Sequence, residues 1–203
     1  EHDEVLGQSP RLLKSGRHDA PFYAAMWGSL REKSFWEGEI WNRRKDGSIF
    51  PVLLSIRRIR ATQTSQECYV GIFSDISALK KHEAHLEHIA YHDALTQLPN
   101  RVLCADRIRM AMSQTLRQGQ KIAVCYLDLD GFKPINDRLG HASGDRLLIV
   151  AAIRMKEALR SGDTVARMGG DEFVLLLNGV ADIAECETIL RRVLQAVALP
   201  VDL

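Results

Sequence analysis

KIAVCYLDLDGFKPINDRLGHASGD, residues 121–145, carries the change of pattern on which the second half of the chain turns. Ile122 to Asp128 is a short apolar run ending on an acid, the pattern of a buried strand. It leads into Asp128-Leu129-Asp130 and Gly131-Phe132-Lys133, a passage from strand to helix. A short helix is expected after Pro134 and a longer one from about Ser143 to Arg160. Upstream, 101–118 reads as a helix. Downstream, Thr164–Met168, a Gly169-Gly170 turn and Phe173–Leu177 read as a hairpin. A helix over about 181–198 then ends at Pro200. Strands interleaved with helices imply an α/β layer arrangement for this half.

The first half has another texture. All three Trp (27, 36 and 41) lie in it. Asp19-Ala20-Pro21 opens a helix running to about Lys33, with Asp19 as its cap. Phe35 to Arg43 reads as a strand, and Lys45-Asp46-Gly47-Ser48 as a turn. The next strand alternates, with Phe50, Val52, Leu54 and Ile56 on one face and Leu53, Ser55 and Arg57 on the other. Polar residues 61–66 turn the chain again into a strand over 67–74. The expected product is a helix followed by an antiparallel meander.

Residues 76–92 contain neither Gly nor Pro. Ile76, Leu79, Glu83, Leu86 and Ala90 follow alternating three- and four-residue steps, a short coiled-coil-like seam with a polar interruption at Glu83. This helix either pairs with its copy in a dimer or packs on its own domain. His82, His85, His88 and His92 crowd this helix, and His85, His88 and His92 share one face. That face reads as a solvated surface, with a Zn²⁺ site as the sharper alternative.

Composition bounds the rest. The 203 residues hold 27 Lys+Arg against 26 Asp+Glu, so a formal charge of +1 offers no electrostatic footprint for a nucleic-acid polymer. No apolar run reaches the length needed to span a bilayer. Glu1-His2-Asp3-Glu4 is not a secretory leader, and a chain opening without Met reads as a fragment or processed form. Cys68, Cys104, Cys125 and Cys186 form no metal-binding spacing; they read as reduced, mostly buried thiols of a cytoplasmic segment.

Two acidic turns carry the chemistry. The strand ending at Asp128 presents Asp128-Leu129-Asp130, and the hairpin tip presents Gly169-Gly170-Asp171-Glu172. If the strands share a sheet, both sets of carboxylates meet at one end. Mg²⁺ prefers clustered carboxylate oxygens and keeps positions open for substrate phosphates. The loop at 129–134 meets a helix start, where backbone N–H groups attract phosphate, and Lys133 adds a point charge. Taken singly, each turn reads equally as a helix cap or a tight solvated hairpin. Together they indicate metal-dependent phosphate chemistry.

Gly169-Gly170-Asp171-Glu172-Phe173 resembles the signature of the GGDEF domain of diguanylate cyclases. Asp93-Ala94-Leu95-Thr96-Gln97-Leu98-Pro99-Asn100-Arg101 is similar to that family's entry motif, and Tyr126 to Asp145 to its nucleotide-binding stretch. The resemblance covers about 91–203 and stops short of the family's last strands and helix. It implies a palm-like α/β domain that condenses two GTP into cyclic di-GMP and two pyrophosphates. It further implies Asp128, Asp171 and the Leu129 carbonyl as ligands of Mg²⁺ or Mn²⁺, and Asp171 and Glu172 as catalytic, with Glu172 helping to deprotonate the attacking hydroxyl. Phe132, Lys133, Asn136 and Asp145 match substrate-binding positions, the last two reading guanine. His141 is assigned to structure near the site. Arg160-Ser161-Gly162-Asp163 resembles the family's inhibitory RxxD site for the product, with Arg160 and Asp163 as its residues. A basic residue near a Gly-capped helix end is the plainer reading there. The implied assembly is a homodimer with one GTP per domain.

Trp36 to Arg43, Lys45 to Ser48 and Val70 to Ser77 resemble the last three strands of a PAS sensor domain and its closing Asp-Ile-Ser. The expected fold is therefore α+β: a partial PAS-like antiparallel sheet over 1–77, a connecting helix over 78–92, and a GGDEF domain over 93–203. A PAS-regulated cyclase is the leading function. A non-catalytic GTP or cyclic di-GMP receptor, or a sensory and dimerisation module, are the alternatives. The final residues also resemble chains that continue into an EAL phosphodiesterase domain.

Overall fold

The computed structural model describes residues 2–60, 67–118 and 121–203. The chain divides into two units, one ending at His85 and the other spanning Leu86–Leu203.

The first unit opens with α1 (His2–Val5) and a 3₁₀ turn at Pro10–Leu13, followed by α2 (Ala20–Lys33). Asp19 caps α2 by accepting the Phe22 N–H at 3.0 Å. Pro21 sits in the first turn, where its missing N–H leaves nothing unsatisfied. Three strands follow: β1 (Phe35–Arg43), β2 (Ile49–Arg60) and β3 (Glu67–Asp75). They form an antiparallel sheet in the order β1-β2-β3. The β1–β2 turn is held by Asp46, whose carboxylate accepts from the Ser48 N–H and hydroxyl at 2.9 and 2.6 Å. Gly47 supplies the positive φ of 86° that this turn requires.

The predicted alternation on β2 holds. Phe50 and Val52 are buried with Ile40 against Phe22, Tyr23 and Leu54, while Leu53 is exposed. β3 is exposed throughout, Ile72 and Phe73 included. The expected turn at 61–66 lies outside the described residues.

Helix α3 (Ser77–Tyr91) begins where the Asp75 carboxylate accepts the Ser77 N–H at 2.9 Å and pairs with Arg44. It buries none of its residues, and Leu79 and Leu86 remain 54% and 66% exposed. Lys80 pairs with Glu39 at 2.9 Å, and the Asn100 amide donates to the Ala90 carbonyl at 2.8 Å.

The second unit holds α4 (Arg101–Gln118), β4 (Lys121–Asp128), α5 (Phe132–Leu139), α6 (His141–Ala158), β5 (Thr164–Gly169), β6 (Glu172–Val180) and α7 (Ile183–Val197). The sheet order is β4-β6-β5, antiparallel throughout. Central β6 is buried on both faces, and its side chains alternate between two cores. Phe173, Leu175 and Leu177 pack with Leu148, Met155, Ile189 and Val193 from α6 and α7. Val174 packs the opposite way, with Ala166 and with Cys104 of α4. The result is a sheet sandwiched between helices, as the interleaved pattern implied.

Two helix starts differ from expectation. α5 begins at Phe132, ahead of Pro134, because a third-position Pro in a first turn sacrifices no intrahelical bond. α6 begins at His141 rather than Ser143, because Gly140, at a φ of 83°, ends one helix and starts the next.

Candidate functional site

The register of β4 on β6 brings the two acidic turns together. Asp128, the last residue of β4, is the Cα partner of Glu172, the first residue of β6. Directly opposed residues of an antiparallel pair share a face, so Asp128 and Glu172 stand side by side at one sheet end. Asp171 precedes Glu172 in the turn. Among the described residues, no hydrogen bond or ion pair engages the carboxylates of Asp128, Asp171 or Glu172, so their acceptor capacity is unspent. The Leu129 carbonyl accepts the Phe132 N–H at 3.1 Å and keeps a second lone pair.

The hairpin turn is built with care. Gly169 and Gly170 take φ values of 143° and 53°, which other residues reach only under strain. Arg167 ties the turn down. Its Nε and Nη2 donate to the Gly170 carbonyl at 3.0 and 2.8 Å, and its Nη1 donates to Asp93 Oδ1 at 2.8 Å. Asp93 also accepts from the Thr96 N–H and hydroxyl at 2.8 and 2.7 Å. Burial, the largest single effect, pushes the Asp93 carboxyl up; the Thr96 and Arg167 donors together outweigh it and hold the group below its ordinary range. Arg101 donates to the Met168 carbonyl at 2.8 Å. The entry motif thus straps the acidic turn in place. Arg167, two residues before the glycines, was missed as a positioning residue because its partner lies 74 residues away.

On the other side of β4, Gly131 starts α5 at a φ of 77°, and Lys133 is exposed. Asn136 Oδ1 is buried with no hydrogen-bond partner. It lies against Gly144 of α6, and Asp145 follows that residue, exposed. Asn136 and Asp145 are therefore brought to the same helix–helix contact, α5 on α6.

Arg160 and Asp163 sit in the turn between α6 and β5. Asp163 accepts the Asn178 N–H at 3.0 Å, and Asn178 donates back to the Gly162 carbonyl at 2.6 Å. Arg160 pairs with Glu185 at 2.5 Å. The other Glu185 oxygen accepts the Ala181 N–H at 2.9 Å, while Asp182 accepts the Glu185 N–H at 2.9 Å. The Asp-x-x-Glu spacing at 182–185 was the available signal for the helix cap, and none pointed to the Arg160 pair.

Among the described residues, no three His, Cys, Asp or Glu side chains form a cluster able to hold a metal, on α3 or at the acidic turns. His88 and His92 stack at 4.3 Å, and His88 Nε2 meets Gln97 Oε1 at 2.6 Å. A cation at the acidic turns would rest on two carboxylates and a main-chain carbonyl, with its other positions open to water and phosphate. That donor set suits Mg²⁺ or Mn²⁺. His141 is exposed at the start of α6. The thiols are free, but Cys104 alone is fully buried; Cys68 is exposed on β3. Cys125 and Cys186 approach to 4.0 Å between sulfurs. No helix among the described residues is long and apolar enough to cross a membrane.

The family model "Diguanylate cyclase, GGDEF domain" matches residues 90–203, and a PAS-domain model matches 1–78. The chain is 42% identical over 124 residues to the bifunctional diguanylate cyclase/cyclic di-GMP phosphodiesterase MucR of Pseudomonas aeruginosa, covering 61% of this chain and 18% of MucR. It is 42% identical over 125 residues to the diguanylate cyclase TpbB of the same organism, covering 62% of this chain and 29% of TpbB. The chain therefore spans less than a third of these relatives. A solved structure comprising only the TpbB GGDEF domain superposes with a TM-score of 0.54 at 42% identity, covering 55% of this chain and 65% of that one. The coiled coil and GGDEF domain of DgcB from Caulobacter crescentus, solved in complex with c-di-GMP, superposes with a TM-score of 0.54 at 28% identity, covering 58% and 61%.

Proposed function

The chain belongs to the GGDEF-domain family of diguanylate cyclases, and from that premise we propose that the whole protein condenses two GTP into cyclic di-GMP and two pyrophosphates under control of its PAS-like unit. The observation that carries this reading is the β4–β6 register, which sets two acidic turns with uncommitted carboxylates at one sheet end.

In this reading each 3′-hydroxyl oxygen attacks the α-phosphorus of the other nucleotide. The bond to the bridging oxygen of the β-phosphate breaks, and pyrophosphate leaves. Positioning and electrostatics dominate such a transfer. Glu172 accepts the hydroxyl proton. Asp128, Asp171 and the Leu129 carbonyl would hold Mg²⁺ or Mn²⁺, which when bound would neutralise phosphate charge and acidify the attacking hydroxyl. Phe132 and Lys133 flank the phosphates at the start of α5. Asn136 and Asp145 accept from the N1–H and N2–H₂ donors of guanine. The buried, unpartnered Asn136 oxygen is consistent with a group whose partner is a ligand.

One GTP per domain requires two domains face to face, so a homodimer is part of the proposal. The exposed Leu79 and Leu86 of α3 offer the pairing seam. Arg160 and Asp163 bind the cyclic di-GMP product as an inhibitor. A GTP substrate and four free thiols suit the cytoplasm.

The test is turnover by the full-length protein. Incubation with GTP and Mg²⁺ should yield cyclic di-GMP by chromatography, and Asp171→Ala should yield none. Equal product from both proteins refutes the assignment. GTP binding without product in either points to the receptor reading.

A further inference from the structure

We propose that Gly144 is a positioning residue for guanine recognition: the place of its missing side chain is the slot in which the Asn136 amide lies. The proposal rests on the reading of Asn136 as a guanine contact and adds what holds it there.

Gly144 lies within α6, four residues after the Gly140 cap, and has no positive φ. Its backbone conformation is one that any residue adopts, and glycine is the poorest helix former apart from proline. The reason for a glycine is therefore steric. A Cβ built on residue 144 would stand 1.9 Å from Asn136 Oδ1, 2.9 Å from its Cγ and 3.2 Å from Phe132 Cζ. The Asn136 main chain cannot retreat, because its carbonyl holds the Gly140 N–H at 2.9 Å and so joins α5 to α6. Any side chain at 144 must turn the amide out of its place.

The second observation concerns the bonding of the same oxygen. Asn136 Oδ1 is buried and has no hydrogen-bond partner. A protein that needed only packing here would carry Ala at 144, which strengthens the helix, and an apolar residue at 136, which removes the unsatisfied acceptor. Gly144 instead reserves the volume for a polar group whose hydrogen bond is unspent, and Asp145, the other proposed guanine contact, is the next residue.

The experiment measures binding of the α,β-methylene analogues of GTP and ATP to the full-length protein carrying Gly144→Ala, Asn136→Ala or both, with thermal melting alongside. The expected result for Gly144→Ala is a loss of guanine-analogue affinity of about tenfold, the order of one lost hydrogen bond. Adenine-analogue affinity and melting temperature should be unchanged or raised. The double variant should bind no worse than Asn136→Ala, because the added methyl then meets no amide. Full guanine preference in Gly144→Ala, beside its loss in Asn136→Ala, overturns the role of Gly144 alone. Unchanged guanine binding in Asn136→Ala overturns the reading of Asn136 and the proposal with it. A penalty for Gly144→Ala that persists undiminished in the Asn136→Ala background also overturns it, since the damage then passes through the helix or Phe132 and not through the amide.

Discussion

Replacing Arg167 with Met should destabilise the second unit and leave the first untouched. Met keeps most of the apolar stem and removes the guanidinium. Three contacts go with it: Asp93 Oδ1 at 2.8 Å and the Gly170 carbonyl at 3.0 and 2.8 Å. The Arg167 and Asp93 side chains are 10% and 22% exposed, so the pair is mostly shielded from water. Breaking a fully buried pair costs about 3–5 kcal/mol by leaving an uncompensated charge. Asp93 keeps its two Thr96 donors and some solvent, which lowers the expected cost to about 2–4 kcal/mol. The pH dependence follows from the depressed Asp93 carboxyl. A carboxyl whose folded pKa lies below its unfolded value stabilises above the unfolded pKa, and that stabilisation is lost as pH falls through the folded one. The gap between wild type and Arg167→Met should therefore narrow below about pH 4, where the unfolded carboxyl titrates. Urea unfolding tests this with two probes. All three Trp lie in the first unit, so the Trp fluorescence transition should not move, while the circular-dichroism transition of the second unit shifts to lower urea. A cost below about 1 kcal/mol, within the range of an ordinary exposed pair, or an equal shift in the Trp-reported transition, would refute the reasoning.

Glu185→Gln should tighten cyclic di-GMP binding several-fold in calorimetry, because it frees Arg160 from its carboxylate while keeping an acceptor for the Ala181 N–H; unchanged or weaker binding would count against Arg160 as a product contact. Leu79→Glu with Leu86→Glu should lower the dimer fraction in sedimentation at unchanged melting temperature, since both residues are exposed on α3; an unchanged dimer fraction would remove the seam. Iodoacetamide at neutral pH should modify exposed Cys68 first. Cys125 should lag, because burial, with the neighbouring Cys186, pushes its thiol up to about 11 and leaves little thiolate; mass spectrometry showing Cys125 labelled before Cys68 would contradict the burial argument.

Local features of the fold were legible where local chemistry decides them. The Asp19 cap, the Asp46-Gly47 turn and the strand ending at Asp128 stand as the residues implied. The start of α5 was misjudged by three residues because Pro134 was read as a boundary when a first turn tolerates it. Strand pairing was legible only conditionally. Which residue faces Asp128 depends on how β6 packs between two helical layers, and no local pattern encodes that register. The same limit hid the Arg167–Asp93 strap and the Arg160–Glu185 pair, whose members are far apart in sequence. The Asn136–Gly144 contact carried a faint signal, a glycine inside a helical pattern, whose packing reason appears only once α5 and α6 are placed together.

The claim on which the account rests is that the two acidic turns act as one cation site. Mn²⁺ retention, followed by its paramagnetic resonance signal in the presence of the α,β-methylene GTP analogue, tests it directly in the full-length protein. Asp128→Asn and Asp171→Asn should each lose Mn²⁺ at concentrations that saturate the wild type, while Asp130→Asn, one position beyond the Leu129 carbonyl, should retain it. Wild-type retention in Asp171→Asn, or an equal loss in all three variants, would contradict the account.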